Sequence, residues 1–499
     1  MAIKRYFANA DNTITNAFKE SLITRGTGSN MGQADILEVF SIYAQQSSTS
    51  TELARFLVQF PVVEQIKADR DLSLIPASGS VDFYLKLYNA RHPFTLPKNY
   101  KLNVLAVSSS WEEGNGLDME GYTDETYGGI GSSWVNASSG TAWTTQGGDY
   151  HASPIFTQSF DKGDEDLEIN VTSLVEEWID GTKNNYGFGI KLSSSYEASS
   201  STNSSGAKIS YYTKKFFARS SEYYFDRPVL EARWDSSRRD NRGNFYFSSS
   251  LAPAAENLNT LYMYNYIRGK LRDIAGSSDA IPVLNLYYSS GSVPEGDAFY
   301  FRDSSNNAVN YLSASRESTG VYKATFSVTG GVVNTTYPYL VDVWTMSGSE
   351  LHTGSVITPN NHSFSNYNPN TKYVINVKNL KTKYIKGQTE RFRLYVREKN
   401  WSPNIYTIAK TSPPNTLIES ASYQICRSPD NKTIIPYGTG SARETILSYD
   451  SDGNYFDLDM DILEAGYTYD LKFSFYEDSL SSYREQPYVF KIRVEKDEY

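Results

Sequence analysis

The chain has few of the residues that most often perform chemistry. Its single cysteine, Cys426, excludes a disulfide within the chain and a metal site built from cysteines. Its four histidines show none of the spacings typical of a local metal site, such as H-x-x-x-H or H-E-x-x-H. The G-x-S-x-G turn of many serine hydrolases is also missing. We therefore expect no catalytic residue, no cofactor and no metal ion.

Positive charge and long apolar runs are also scarce. The chain has 47 Lys and Arg against 57 Asp and Glu, a net charge of −10. Nucleic-acid binding needs clustered cations, and we find one short basic run, at 238–242. No apolar run is long enough to span a membrane, and residues 1–13 do not resemble a signal peptide. These features predict a protein made in the cytoplasm that neither binds nucleic acid nor inserts into membranes.

Tyrosine, by contrast, is abundant, with 40 residues against seven tryptophans. Tyrosine and threonine fit half-buried pleated surfaces, which favours β-structure, and tyrosine is also common at contact surfaces. A length of 499 residues is too great for a single core and suggests about three domains. The composition therefore predicts several β-domains with broad contact surfaces.

The stretch 166–192 is the most informative part of the first half. Polar and apolar residues alternate over 166–171, as in a strand with one buried face, and the apolar spacing then becomes helical as far as Ile179. Thr172 or Ser173 can cap this helix, Ser173 and Glu176 have capping-box spacing, and Asp180-Gly181 is a typical helix end. A second strand is predicted at 188–192. The helix is expected to cover one end of a sandwich as a lid.

This strand, the V-T-x-x-V-x-x-W helix, the N-Y-G-F turn and the next strand resemble the signature of DNRLRE-type domains. Other positions similar to the family, in order, are Asp11-Asn12-Thr13-Ile14, the R-x-L-x-x-F segment at 55–60, the W-x-E-G loop at 111–114, Trp143, and the closing strands at 216–219 and 227–230. The similarity covers about 5–240 and departs from the family at Pro61, where an Asp is usual. It implies a jelly-roll-like β-sandwich.

Beyond 242 the chain is predicted to form two immunoglobulin-like sandwiches. The segment from Thr260 resembles that from Thr371, and those from Gly320 and Pro338 resemble those from Gly453 and Gly466, in the same order. The predicted architecture is therefore mainly β and multi-domain. A jelly-roll-like sandwich with a short lid helix occupies 1–241, and immunoglobulin-like domains occupy 242–370 and 371–499.

The stretch 108–152 has little strand character and forms a long loop, which is usually functional or bound to a partner. Its tryptophans, Trp111, Trp134 and Trp143, are candidates for contact with a glycan or a partner protein, although tryptophan in a sandwich is more often part of the core. The acids of this loop leave a glycosidase pair open as an alternative; they are Glu112, Glu113, Asp118, Glu120, Asp124 and Glu125. Clusters at 161–166 and 450–454 leave calcium open, although both also read as turns.

These features lead us to expect a non-enzymatic structural or interaction protein of a bacteriophage virion, in a peripheral tail, neck, baseplate or fibre position. Such a protein would be made in the host cytoplasm and would assemble with other virion proteins as a homo- or hetero-oligomer. The alternatives are a carbohydrate-binding module that recognises host-surface glycans and a polysaccharide-cleaving enzyme.

Overall fold

The computed structural model describes residues 2–19, 21–92, 98–117, 130–197, 210–275, 281–330, 336–362, 371–401, 415–477 and 480–496, without the side chains of Ser210 and Tyr211. The chain divides into two compact units, Ala2–Trp234 and Asp235–Tyr499, called here the N-terminal and C-terminal units. Both consist mainly of strands, as expected. Within the ranges described, no helix has the length and apolar character that crossing a membrane would require.

The N-terminal unit is a sandwich of two antiparallel sheets. Its strands are β1 (Ile3–Phe7), β2 (Ala10–Thr15), β3 (Ile36–Tyr43), β4 (Thr51–Gln59), β5 (Asp82–Leu87), β6 (Tyr100–Val107), β7 (Asn136–Ser138), β8 (Thr141–Ala142), β9 (Tyr150–Phe160), β10 (Leu167–Asn170), β11 (Phe188–Leu192), β12 (Ser210–Phe217) and β13 (Val229–Arg233). The first sheet has the order β1-β13-β5-β10. The second has the order β12-β3-β4-β11-β6-β9, with β2 also paired to β4, and β7 pairs with β8.

Alternation along the strands gives the second sheet two different faces. On β4, Phe56 and Val58 point into the main core, which also contains Phe83 and Leu85 of the first sheet. Arg55 lies on the opposite, outer face, where it makes polar contacts. The core between the two sheets confirms the predicted sandwich and leaves the outer face of the second sheet available for other contacts.

Helices lie at one end of this core. A π-helical turn, Val62–Lys67, continues into the short helix α1 (Ala68–Asp71), and α2 spans Thr172–Asp180. The predicted helix and its end are confirmed, because Gly181 adopts φ +83° directly after α2. The predicted cap is wrong: no side chain of Thr172 or Ser173 caps the helix, and the N–H of Thr172 instead donates to the side chain of Asn170, 3.0 Å away.

Trp178 of α2 anchors the lid. Its side chain is 1% exposed and packs edge-on against Phe188, with 4.8 Å between ring centroids. We expect Trp178→Ala to lower the free energy of unfolding by about 3–5 kcal/mol, because it leaves a large cavity. Trp178→Phe is the matched comparison and should cost clearly less, since the indole N–H has no hydrogen-bond partner to lose. Denaturant unfolding checks both; equal losses would contradict the cavity explanation.

The C-terminal unit contains the remaining strands. They are β14 (Asn259–Tyr264), β15 (Tyr266–Ile267), β16 (Lys270–Leu271), β17 (Val283–Ser289), β18 (Phe301–Asp303), β19 (Ala308–Val309), β20 (Leu312–Ser313), β21 (Ser315–Ser318), β22 (Val321–Ser327), β23 (Tyr339–Met346), β24 (Ser349–Thr353), β25 (Tyr373–Val377), β26 (Lys383–Ile385), β27 (Thr389–Glu398), β28 (Ala421–Arg427), β29 (Lys432–Ile435), β30 (Ser448–Asp450), β31 (Gly453–Asp459), β32 (Thr468–Glu477), β33 (Ser482–Glu485) and β34 (Phe490–Glu495). Short 3₁₀ turns occur at Tyr224–Asp226 in the N-terminal unit and at Asn241–Gly243, Ala254–Asn257 and Met460–Ile462 in this one.

These strands form two immunoglobulin-like sandwiches. The first has sheets β14-β22-β18-β19, with β21 on β22, and β20-β17-β23-β24. The second has sheets β25-β27-β31-β30 and β26-β34-β32-β28-β29, with β33 on β32. Strands on either side of 370 thus belong to different sheets, although 235–499 form one compact unit. Residues 235–241 belong to this unit as well, since the N–H of Asp240 donates to the carbonyl of Tyr449.

The strand order explains the internal repeat. β22 and β31 are each paired with the preceding short strand, β21 and β30, while β23 and β32 pair with β17 and β28, which confirms the matches at Gly320 and Pro338. The first match is wrong. β14, which starts near Thr260, pairs with β22, and the strand that pairs with β31 is β27 rather than β25 near Thr371. Short alternating strands look alike in sequence, so pairing partners are needed to identify them.

Candidate functional site

The described parts of the loop, 108–117 and 130–149, lie over part of the outer face of the second sheet. Leu57, Val107, Ala137 and Trp143 form a small second core there, with Trp111, Tyr150 and Tyr186 packed against it. The loop therefore has its own apolar anchor on the sandwich. This arrangement leaves a cleft beside the anchor, on the same face of the sheet.

The three predicted contact tryptophans support this loop. Trp134 and Trp143 are each 5% exposed, and the indole N–H of Trp143 donates to the carbonyl of Ser133, 2.8 Å away. Trp111 is half-buried, and its N–H donates to the carbonyl of Tyr186 at 2.7 Å. The buried rings of Trp134 and Trp143 offer no open face on which a sugar could stack. Their position is that of core residues.

The described acids of the loop hold its backbone in place. Glu113 forms a two-pronged ion pair with Arg219 and accepts the N–H of Asp11, while Glu112 accepts the N–H groups of Gly131 and Ser139. Neither lines the cleft. The other proposed acids, Asp118, Glu120, Asp124 and Glu125, lie outside the described residues.

The cleft has a volume of about 530 Å³, within the range of small-molecule sites. Its lining residues are Arg55, Leu105, Ser108, Ser109, Thr144, Thr145, Gln146, Gly148, Asp149, Tyr150, His151, Ala152 and Lys191. Tyr150 forms the floor, because its ring lies directly over Gly189 of β11. A Cβ at Gly189 would come within 2.0 Å of this ring, so any other residue there would displace the ring of Tyr150.

Two cations on neighbouring strands meet at the floor. Arg55 of β4 is fully committed: it binds Glu197 through two hydrogen bonds of 2.8 and 2.9 Å and donates to the carbonyl of Gly147 at 2.9 Å. The ammonium of Lys191 on β11 lies 5.5 Å from the centroid of the Tyr150 ring and makes no hydrogen bond or ion pair within the described residues. Burial, with help from the nearby Arg55 guanidinium, lowers the pKa of Lys191. Lys191 is thus a cationic donor that remains available to a ligand.

Hydroxyl and carboxylate groups form one wall of the cleft. Asp149 accepts the N–H groups of Thr144 and Thr145 at 2.9 and 2.8 Å, and the hydroxyl of Ser109 at 3.2 Å. Burial alone would raise the pKa of Asp149, but these hydrogen bonds outweigh it and lower the pKa. The wall is therefore a fixed turn that presents the side chains of Thr144 and Thr145 to solvent.

The two acidic clusters considered for calcium form turns. Asp450 pairs with Arg393 at 2.9 and 2.8 Å and accepts the N–H of Asp452 in the β30–β31 hairpin. Glu165 accepts three successive backbone N–H groups at 161–163. Among the described side chains, no three His, Cys, Asp or Glu residues come together in a way that could hold a metal ion.

The sequence indicates the loop that lines part of the cleft, but it does not indicate the other residues that form the cleft. The R-x-L-x-x-F motif includes Arg55, whereas no sequence pattern indicates a role for Tyr150, Asp149 or Lys191. One signal was available: a glycine inside a predicted strand, such as Gly189, often indicates a close approach by another group. The identity of that group depends on the tertiary structure.

Comparisons with known proteins give no family for this chain. No family model matches it, and no curated protein does. Among solved structures, a chimeric titin Z1Z2-Z1Z2 tandem is 11% identical with a TM-score of 0.15, covering 48% of this chain and 91% of its own. S-layer protein SbsC domains 4 and 5 are 9% identical with a TM-score of 0.14, covering 43% and 96%. Trypsin-activated alpha-2-macroglobulin from Escherichia coli is 8% identical with a TM-score of 0.17, covering 98% and 30%. TM-scores this low support no argument about function.

Proposed function

We propose that the chain is a non-enzymatic structural protein of a bacteriophage virion that acts by binding other virion proteins at the tail, neck, baseplate or a fibre. The observation that carries the binding role is a set of exposed apolar side chains that lie close together in the sequence of each unit. Val63, Leu72 and Leu74 are 49–71% exposed in one, and Tyr266 and Ile267 are 62% and 45% exposed in the other. Exposed apolar side chains that form a continuous surface are typical of contact sites, whereas scattered single ones are not.

The multi-domain β-architecture and the tyrosine-rich composition support the virion assignment, since such components need contact area more than reactive groups. The first test is mass spectrometry of purified virus particles from the source sample. We expect peptides of this chain in constant proportion to the other virion proteins. Their absence from the particles, with the protein left in the lysate, would overturn the assignment.

A second candidate function is glycan binding, and the cleft on the second sheet favours it. Its fixed hydroxyl-bearing turn, the ring of Tyr150 and the available Lys191 ammonium are the groups that bind sugar hydroxyls in a shallow site. A glycan-binding surface is compatible with a virion protein that recognises a host cell. Trp134 is a natural reporter, because its ring lies 5.1 Å from the Arg55 guanidinium at the edge of the cleft.

We expect Lys191→Met to weaken binding of bacterial surface polysaccharides by about tenfold or more, because a charge-assisted hydrogen bond is lost. Binding is measured by the change in tryptophan emission and by calorimetry. Lys101→Met is the matched control, since Lys101 is an exposed lysine of β6 that does not line the cleft. Equal losses in the two variants, or no binding by the wild type, would remove this candidate.

A further inference from the structure

The hairpin formed by β15 and β16 projects from the first immunoglobulin-like sandwich as a separate two-stranded ribbon. Residues 266–270 are all exposed. The turn residues Arg268 and Gly269 have φ of +52° and +76°, the pair of values that suits a tight two-residue hairpin. The hairpin therefore presents Tyr266 and Ile267 to solvent in a defined conformation.

The hairpin is rigidly held at its base. The side chain of Asn265 donates to the carbonyl of Arg272 at 2.7 Å, and Asp273 binds Arg316 through two hydrogen bonds of 2.9 Å. Asp273 also accepts the N–H of Gly320, at the turn between β21 and β22. These contacts tie the hairpin to the sandwich, so little backbone freedom is left to lose on binding.

The exposed ring of Tyr266 in the hairpin is also held in place. Tyr262, Tyr264 and Tyr266 lie on one face of the β14–β15 stretch and stack in sequence, with centroid separations of 6.3 and 6.5 Å. Tyr262 is buried and Tyr266 is the exposed end of the stack. A tyrosine that is ordered before binding is the kind of side chain that dominates contact energies.

The charge of the hairpin narrows the choice of partner. Arg268, Lys270 and Arg272 are exposed and make no ion pair within the described residues. This positive group stands out in a chain whose net charge is −10. The hairpin therefore fits an apolar surface with an excess of negative charge.

The chain itself carries such a surface, on the N-terminal unit. We define the helical patch as Val63 on the π-helical turn together with Leu72 and Leu74, which follow α1. On its inner side this segment is fixed by Ile66 and Ile75, which belong to the main core. Ion pairs of Arg70 with Glu176, at 2.5 Å, and of Asp69 with Lys4, at 2.6 Å, hold it further.

The charges beside the helical patch complement those of the hairpin. The exposed charged residues are Glu64, Lys67 and Asp71, which leave a negative excess. None of the three makes an ion pair within the described residues. The patch thus combines apolar side chains with two unpaired acids and one unpaired lysine, a net negative charge, whereas the hairpin combines apolar side chains with unpaired cations only.

We propose that the hairpin of one copy of this chain docks on the helical patch of a second copy. The proposal rests on the proposed function, which calls for assembly, and it names one partner as the chain itself. Because the two surfaces differ, the contact is head-to-tail, and each copy keeps one unused surface. Contacts of this type grow into closed rings or open filaments.

The test uses the full chain in sedimentation velocity over a wide concentration range. The hairpin variant is Tyr266→Ser with Ile267→Ser, and the patch variant is Leu72→Ser with Leu74→Ser. The matched control is Tyr300→Ser with Val293→Ser, since these side chains are 67% and 65% exposed and lie outside both surfaces. Circular dichroism and thermal melting confirm that each variant is folded.

We expect the wild type and the control to form assemblies larger than dimers, and each variant alone to associate at least about thirtyfold more weakly. An equimolar mixture of the two variants is the decisive sample. The hairpin variant retains a working patch and the patch variant retains a working hairpin, so the mixture should form dimers and stop there. A symmetric contact would not give this result.

A wild type that remains monomeric, an equal loss in the control, or a mixture without dimers would each overturn the proposal. These outcomes are distinct from failure of the proposed function. A monomeric chain that is present in purified virus particles would leave the virion assignment standing, with other proteins as its partners. A self-associating chain that is absent from particles would keep the contact and remove the assignment.

Discussion

Glu231→Gln is expected to lower the free energy of unfolding of the N-terminal unit by about 3–5 kcal/mol. Glu231 is 2% exposed on β13 and accepts hydrogen bonds of 2.7 Å from Arg5 and from Arg233, with the Lys86 ammonium 3.8 Å away. The neutral amide leaves these cations close together and without their shared anion. Denaturant unfolding at neutral pH measures the loss.

The pH dependence provides a second readout for the same residue. Burial raises the pKa of Glu231, but Arg5, Lys86 and Arg233 outweigh burial and hold the pKa well below its ordinary value. A carboxylate of this kind stabilises the fold above its unfolded-state pKa of about 4.3, and the stabilisation is lost as pH falls through the lower folded-state value. The difference between wild type and variant should therefore shrink below about pH 4.

Glu168→Gln is the matched control for this network. The side chain of Glu168 is 42% exposed and pairs with Arg233 at 2.6 Å. Ion pairs open to water contribute about 1 kcal/mol or less, so the control should lose little stability. Similar losses in the two variants would show that burial of Glu231 is not the cause.

Asp11→Asn is expected to stabilise the N-terminal unit by about 2–4 kcal/mol at pH 8. Asp11 is fully buried, and its Oδ1 atom has no hydrogen-bond partner. Burial, assisted by the neighbouring Glu113 carboxylate, raises the pKa of Asp11 to about 7 despite a hydrogen bond from the N–H of Arg219. Above that pH the folded chain contains a buried charge that is poorly compensated, and the amide removes it.

The sign of the effect follows from the raised pKa. The folded state binds a proton at Asp11 between about pH 4 and 7 that the unfolded state has released, so the wild type loses stability as pH rises across this interval. The advantage of the variant should be small near pH 4, grow to pH 7 and then stay constant. Asp35→Asn, at an exposed position nearby, controls for the loss of one negative charge. An advantage for Asp11→Asn that does not change with pH would contradict the explanation.

Local patterns predicted the elements of the fold well. The strand at 188–192, the helix that ends at Asp180-Gly181 and the two-sheet core all follow from apolar spacing and helix-end chemistry, which act over a few residues. The cap at Thr172 or Ser173 was predicted incorrectly. The N–H of Thr172 donates to the side chain of Asn170, and the hydroxyl oxygen of Thr172 accepts the N–H of Phe83.

The sequence indicated a region for a candidate site but not the set of residues that form the cleft. Composition and the absence of strand patterns predicted a site within 108–152, and residues of this stretch line part of the cleft. The roles of its residues were missed, because Arg55, Tyr150 and Lys191 come from three different strands. The sequence left Trp134 and Trp143 open as contact residues although tryptophan in a sandwich is more often part of the core, and their burial in the structure separates these roles.

The sequence by itself determined the periodicity of each strand, the mainly β class and the excess of negative charge, since each depends on residue type and local spacing. The tertiary structure decided which strands pair, that Tyr150 lies over Gly189, and that Glu231 sits among three cations. These features depend on residues far apart in the chain, which meet only when the sheets form. The free energies of these contacts depend on burial. A buried charge without a partner is costly, whereas a buried charge with partners favours one particular arrangement of the chain.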